Sequence, residues 1–200
     1  MLIIFYMGIE FIIPTYERTD MLMTCISSIV CQTNPNWKIH VIADGPTEEI
    51  KEKLSWIANY YEDEPRIKWT VLQERYNDWG HTPRNMGLEQ ATEEWVVMTG
   101  EDNYYVPVFV DEMLKLGVGK HFVFCNMVHN WVSREYIPIN CEVKYGKIDI
   151  GNFMVKTNMG KKIKLNTKIN QADWFYIEDF VKKFPATKFG KTNQMMYVHN

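Results

Sequence analysis

The apolar run Trp95-Val96-Val97-Met98-Thr99 ends in Gly100-Glu101-Asp102-Asn103-Tyr104-Tyr105. Adjacent carboxylates at the exit of a buried-looking strand can hold a cation or face a ligand, because open α/β sheets bind at the carboxyl ends of their strands. Gly, Asp and Asn also build ordinary turns, so the cluster alone leaves both readings open. Comparable residues recur at comparable places. Asp44 follows the apolar run Trp37 to Ala43, and Pro14-Thr15-Tyr16-Glu17-Arg18 follows the run Ile9 to Ile13. Arg84 and Asn85 come directly after Thr82-Pro83, in the first turn of a predicted helix, where backbone amides and the helix dipole favour anions.

These residues need a scaffold, and the patterning supplies one. Ile9 to Ile13 reads as a first strand stopped by Pro14, and Thr19 and Asp20 offer N-caps to a helix with Leu22, Cys25, Ile26, Ile29 and Val30 on one face. Trp37 to Ala43 is a second strand. Thr47 caps the next helix, which carries Glu48 and Glu49 in its first turn and buries Ile50, Leu54, Ile57 and Tyr61. Ile67 to Leu72 is a third strand, Thr82 caps a third helix with Pro83 at its first position, and the Trp95 run is a fourth strand. Pro107 opens a helix through Leu116. This alternation predicts an α/β protein with a parallel sheet covered on both faces. Beyond Lys120 the pattern becomes mixed: a strand at His121 to Val128, irregular strands and turns from Tyr136 to Thr157, a helix from Asp173 to Phe184 and a strand at Met195 to His199.

Bulk properties narrow the class. Two hundred residues, 46% of them hydrophobic, suffice for one domain with a real core. A net charge of −3 gives no reason to expect nucleic acid, which calls for a basic excess. Cys25, Cys31, Cys125 and Cys141 form no Cys-x-x-Cys pair and read as reduced, mostly buried thiols of a cytoplasmic protein, one that can also sit peripherally at a membrane. The apolar segment Met1 to Ile13 is broken by Gly8 and Glu10 and is too short to span a bilayer, so no transmembrane segment is expected.

Several ordered motifs carry a resemblance. Phe11-Ile12-Ile13-Pro14-Thr15-Tyr16-Glu17-Arg18, Ile29-Val30-Cys31-Gln32-Thr33, Val41-Ile42-Ala43-Asp44-Gly45, Pro83-Arg84-Asn85-Met86-Gly87-Leu88 and Gly100-Glu101-Asp102-Asn103-Tyr104-Tyr105-Val106-Pro107 resemble, in order, elements of family 2 glycosyltransferases with the GT-A fold. The likeness runs through about the first 115 residues. It implies a Rossmann-like, mostly parallel central sheet, and a single domain over residues 1–200. Residues 1–115 would then be the nucleotide-binding half and 116–200 the acceptor and catalytic half.

The resemblance also implies roles. Pro14 to Arg18 would surround the nucleotide, with Thr15 bonding it and Tyr16 stacking on it. Asp44 would accept the N3–H of a uracil-type base, and Arg84, with Asn85, would contact the nucleotide or its phosphates. Asp102, helped by Glu101, would hold Mn²⁺ or Mg²⁺, completed by His199 in Tyr197-Val198-His199-Asn200. The motif departs from Asp-x-Asp because Gly100 stands at its first acidic position. Asp149-Ile150-Gly151-Asn152-Phe153-Met154 resembles the glycine-containing segment beneath donor sugar and acceptor, and Gln171-Ala172-Asp173-Trp174 the element that supplies the catalytic base, Asp173, with Ala172 in place of Glu. His81, His121 and His129 lack ligand spacing and read as loop or surface residues.

The implied activity is metal-dependent, inverting transfer of a sugar from a nucleotide diphosphate sugar, a UDP-sugar first, to a hydroxyl of a glycan or other acceptor. The two departures keep open a sugar-nucleotide or glycan-binding module that has lost catalysis. A nucleotidyltransferase is the weaker alternative, since no Gly-rich, Lys-bearing loop follows the first strand.

Overall fold

The apolar runs become strands, and the polar segments between them become helices and loops. The computed structural model describes residues 8–130 and 135–200; residues 1–7, the start of the apolar N-terminal segment, lie outside it, as do 131–134. The elements run β1 (Ile9–Thr15), α1 (Thr19–Val30), β2 (Trp37–Ala43), α2 (Glu48–Tyr60), β3 (Ile67–Val71), α3 (His81–Gln90), β4 (Trp95–Met98), β5 (Tyr104–Tyr105) and α4 (Phe109–Gly117). They continue as β6 (Phe122–His129), β7 (Ile137–Ile139), β8 (Phe153–Lys156), α5 (Thr157–Gly160), α6 (Ala172–Lys183) and, after a short 3-10 turn, β9 (Phe189–His199).

One nine-stranded sheet in the order β3-β2-β1-β4-β8-β6-β9-β5 joins both halves of the chain, with β7 beside β6. β1 pairs in parallel with β2 and with β4, and β2 with β3. β8 is antiparallel to both neighbours, which returns β6 and β9 to the parallel direction. Every residue of β1 and of β4 is buried, as continuous apolar runs in a doubly covered sheet require. Each fully buried Ile, Val or Phe side chain contributes about 1.5–3 kcal/mol, so these two strands fix the middle of the sheet.

The structure corrects several boundaries, and all the corrections bear on the site. Pro14 does not stop β1, which runs on to Thr15. Ile12 offers its carbonyl to Thr99 on the β4 side and Thr15 offers its own to Asp44 on the β2 side. By strand alternation the nitrogen of Pro14 therefore points toward β4, which has already ended at Met98, and no ladder bond is lost. Thr19 and Asp20 lie inside α1, not at its cap; Arg18 holds the N-cap position without a side-chain bond. Thr82 does not cap α3 either. Asp78 accepts from both the Thr82 amide (2.9 Å) and its hydroxyl (2.6 Å), and the helix starts at His81. Pro107 gives its carbonyl to the Thr33 amide at 2.8 Å, so α4 begins only at Phe109. Thr47 does cap α2, accepting from Ile50.

No helix among the described residues is long and apolar enough to cross a membrane. Cys25, Cys125 and Cys141 are buried free thiols, and Cys31 is exposed.

Candidate active site

The carboxyl ends of β1, β2 and β4 open onto a cavity of about 540 Å³. It is lined by Pro14, Thr15, Tyr16, Glu17, Arg18, Asp44, Arg84, Glu101, Asp102, Asp173 and His199, so six chain segments separated in sequence meet there. Asn85 is the exception. Its side-chain amide donates to the Leu165 carbonyl and its oxygen accepts from the Leu165 amide, both at 2.9 Å. This residue ties α3 to the second half of the chain and does not line the cavity.

Asp44 is held for recognition. Its carboxylate accepts from the Tyr76 amide at 2.9 Å and the Asn77 amide at 3.2 Å. A carboxylate has about four acceptor positions, so two bonds fix its orientation and leave lone pairs for a ligand. Those two amides belong to a polar loop in which Asn77 and Trp79 adopt positive φ of 51° and 58°, a conformation that costs energy outside glycine. The loop brings Arg75, Asn77 and Trp79 to the cavity, and the Arg75 guanidinium lies 3.4 Å over the Tyr16 ring. None of these residues was expected at the site. A tryptophan within the charged stretch Gln73 to Gly80 is the one visible hint.

Arg84 is buried, and its Nε and Nη1 donate to the carbonyls of Thr99 (3.0 Å) and Trp79 (2.8 Å). It clamps the exit of β4 to the loop before α3. Gly80, which begins α3 at φ +79°, makes this junction possible: a Cβ there would stand 2.9 Å from Pro14 Cβ. Gly80→Ala combines backbone strain with overpacking and is expected to cost about 2–4 kcal/mol. Urea unfolding with an unchanged m-value would register this as a lower midpoint.

The acidic turn is built differently from the expected pair of ligands. Glu101 turns onto β1, accepting from the Thr15 hydroxyl and, at 3.1 Å, from the Tyr16 amide. Burial raises its pKa against those bonds. Asp102 forms an ion pair with Arg18. A Cβ at Gly100 would stand 2.6 Å from Asp102 Oδ1 and 2.9 Å from Asn103 Nδ2, so a carboxylate at that position would displace the one already there.

The second half contributes Asp173, Asp149 and His199. Asp173 lies in the first turn of α6, where its Oδ1 accepts from the Trp174 amide at 2.7 Å. Burial first, and the Asp149 charge second, push its pKa up. Ala172 is completely buried, so the position that departs from the family's acidic pair faces the core and not the cavity. Asp149 accepts from the Tyr197 hydroxyl (2.6 Å) and the Gly151 amide (2.9 Å) and lies 3.8 Å from His199 Nδ1. The resemblance had marked its segment but not this carboxylate. His199 in turn packs against the His129 ring at 4.7 Å. His81 is no surface residue: it is buried and lines the cavity, and burial and Arg84 lower its pKa.

Mn²⁺ and Mg²⁺ take several oxygen ligands from more than one group. Here Asp102 is engaged by Arg18, Glu101 by Thr15 and Tyr16, and a side chain at position 100 would first have to shift Asp102 and Asn103. Among the described residues no group of three or more His, Cys, Asp or Glu side chains is arranged to hold a metal ion. Among the described residues the protein by itself therefore offers no preformed cage for a divalent cation.

The model of the family described as Glycosyl transferase family 2 matches residues 10–184. The chain belongs to that family. This family 2 chain is 29% identical over 125 residues to the glycosyltransferase YibD of Escherichia coli (strain K12), covering 62% of the chain and 34% of YibD. It is 32% identical over 92 residues to the GalNAc(5)-diNAcBac-PP-undecaprenol beta-1,3-glucosyltransferase of Campylobacter jejuni, covering 46% of the chain and 28% of that protein. S. aureus TarS 1-349, solved with UDP-GlcNAc, shares the fold with a TM-score of 0.75 over 96% of this chain and 58% of TarS, at 17% identity. The mannosyltransferase PcManGT of Pyrobaculum calidifontis, solved with GDP-Man and Mn²⁺, gives 0.66 over 94% and 55%, at 14% identity. The architecture is thus that of the GT-A glycosyltransferases. The chain spans less than two thirds of each of these proteins.

Proposed function

We propose that this chain transfers a sugar from a nucleotide diphosphate sugar, a UDP-sugar first, to a hydroxyl of a glycan or other acceptor, with inversion at the anomeric carbon. One observation carries the reading: a fixed carboxylate at Asp44 and a partly buried carboxylate of raised pKa at Asp173 sit in one cavity at the carboxyl ends of β1, β2 and β4. Residues 1–200 would act as one domain.

The residues divide the work. Asp44 accepts the imide N–H of the base, Tyr16 with Arg75 over its ring walls the nucleoside, and the α1 end of the loop Pro14 to Arg18 meets the diphosphate. Asp173 takes the proton of the acceptor hydroxyl while that oxygen bonds to the anomeric carbon and the nucleoside diphosphate departs with the bonding pair. Its raised pKa makes Asp173 a stronger base than a solvated carboxylate. The nucleotide sugars bound in the TarS and PcManGT structures, UDP-GlcNAc and GDP-Man, agree with a nucleotide diphosphate donor.

A panel of UDP- and GDP-sugars tested by thermal shift identifies the donor. A sugar nucleotide at one hundred times its Kd stabilises the fold by about 2.7 kcal/mol, and the largest rise is expected with a UDP-sugar. No shift with any nucleotide sugar would remove the proposal. Release of free nucleoside diphosphate by purified protein separates an enzyme from a binding module, which releases none.

A further inference from the structure

Diphosphate groups carry concentrated negative charge, and in this cavity the acidic turn does not assemble a divalent cation site. We propose that the Arg18 guanidinium takes the cation's place: it leaves Asp102 for the diphosphate of the nucleotide and neutralises it without a metal ion. The inference rests on the nucleotide diphosphate reading above.

Among the described residues three guanidinium groups line the cavity, and two are committed. Arg75 lies on the Tyr16 ring, and Arg84 is buried with its donors on the Thr99 and Trp79 carbonyls. Among the described residues no lysine lines the cavity. Arg18 differs in every respect. Its side chain is 56% exposed, and its partner is the one carboxylate of the metal-type motif, itself 19% exposed. An ion pair so open to water is weak. A diphosphate offers more charge than a single carboxylate and a geometry that the flat guanidinium meets with two parallel hydrogen bonds. The exchange therefore favours the nucleotide.

The position is built for the transfer. Arg18 stands at the N-cap of α1, a helix of 12 residues, directly after the loop that leaves β1. Its reach covers Asp102, in the turn after β4, and the mouth between the two strands where phosphates would lie. The crowding at Gly100 completes the case: an acid there would hold a metal only by displacing Asp102 from the position in which it meets Arg18.

Calorimetric titration of the whole chain with UDP, with EDTA and then with Mn²⁺, decides the matter. Wild-type affinity is expected to agree within about threefold between the two conditions. Arg18→Ala should lose about tenfold or more in EDTA, and Arg18→Lys should recover part of that loss because charge returns without the two-pronged geometry. Thermal unfolding of each variant without nucleotide verifies the fold. Wild-type binding that collapses in EDTA, or an Arg18→Ala variant that binds UDP as wild type does, overturns the proposal and leaves the donor reading standing. Absence of binding to any nucleoside diphosphate overturns both.

Discussion

Asp173→Asn should abolish transfer and leave the donor bound. The amide keeps the size of the carboxylate and its acceptor oxygen toward the Trp174 amide, so α6 loses little. What it loses is the site that receives the acceptor proton, and removal of a positioned general base costs about 10²–10⁴-fold in rate. Turnover should fall by that factor while the thermal shift given by the nucleotide sugar stays within error of wild type. Activity near the wild-type level would take Asp173 out of the mechanism. The pH profile gives an independent reading. The base works only when deprotonated, so kcat falls as pH drops through its pKa, and the raised pKa places that acid limb at higher pH than a solvated aspartate would give. Asp149→Asn removes a like charge and should move the limb to lower pH.

Asp44→Ala has the next largest effect. A hydrogen bond to a charged group contributes about 1.5–3 kcal/mol, which corresponds to a loss of roughly 10–100-fold in affinity for a uridine nucleotide. The same change strips the Tyr76 and Asn77 amides of their acceptor, so stability should fall as well. Titration with UDP and with inorganic pyrophosphate separates the two consequences. Loss for UDP with pyrophosphate unchanged assigns Asp44 to the base; equal losses would trace the effect to a slackened loop and withdraw the recognition role.

The sequence displays the first half of this molecule far better than the second, for a physical reason. β1 and β4 are buried throughout and β2 in all but Lys38, so they appear as mainly apolar runs, and Thr47 announces α2 by a local cap. Elements defined by distant partners leave no such mark. β5 is two tyrosines whose strand character comes from β9, and β8 is a short run whose place between β4 and β6 no local pattern specifies. The start of α3 was misjudged because Asp78 reaches across four residues to Thr82. At the site, the residues on strand exits were legible as a set because the sheet itself aligns them. Asn85 was not, since its partner Leu165 lies in a loop 80 residues on. The side-chain directions of Glu101 and Asp102 depend on Thr15 and Arg18, more than 80 positions away, and no local pattern displays them.

The pairing of β5 with β9 also sets a timetable. β1 to β4 can associate once the first hundred or so residues are made, giving a sheet centre with Asp44 already at its rim. The turn that carries Asp102 is then tethered on one side only. Its other anchor comes with Tyr104 opposite Val198 and Asn103 accepting from the Asn200 amide, 97 positions further along the chain. At a synthesis rate of roughly 5–20 residues per second, a nascent chain waits about 5–20 s between forming the base end of the cavity and securing its acidic end. A ribosome-bound intermediate stalled before β9 is therefore expected to carry a partly folded sheet and no competent site, so that the protein gains its shape well before its chemistry.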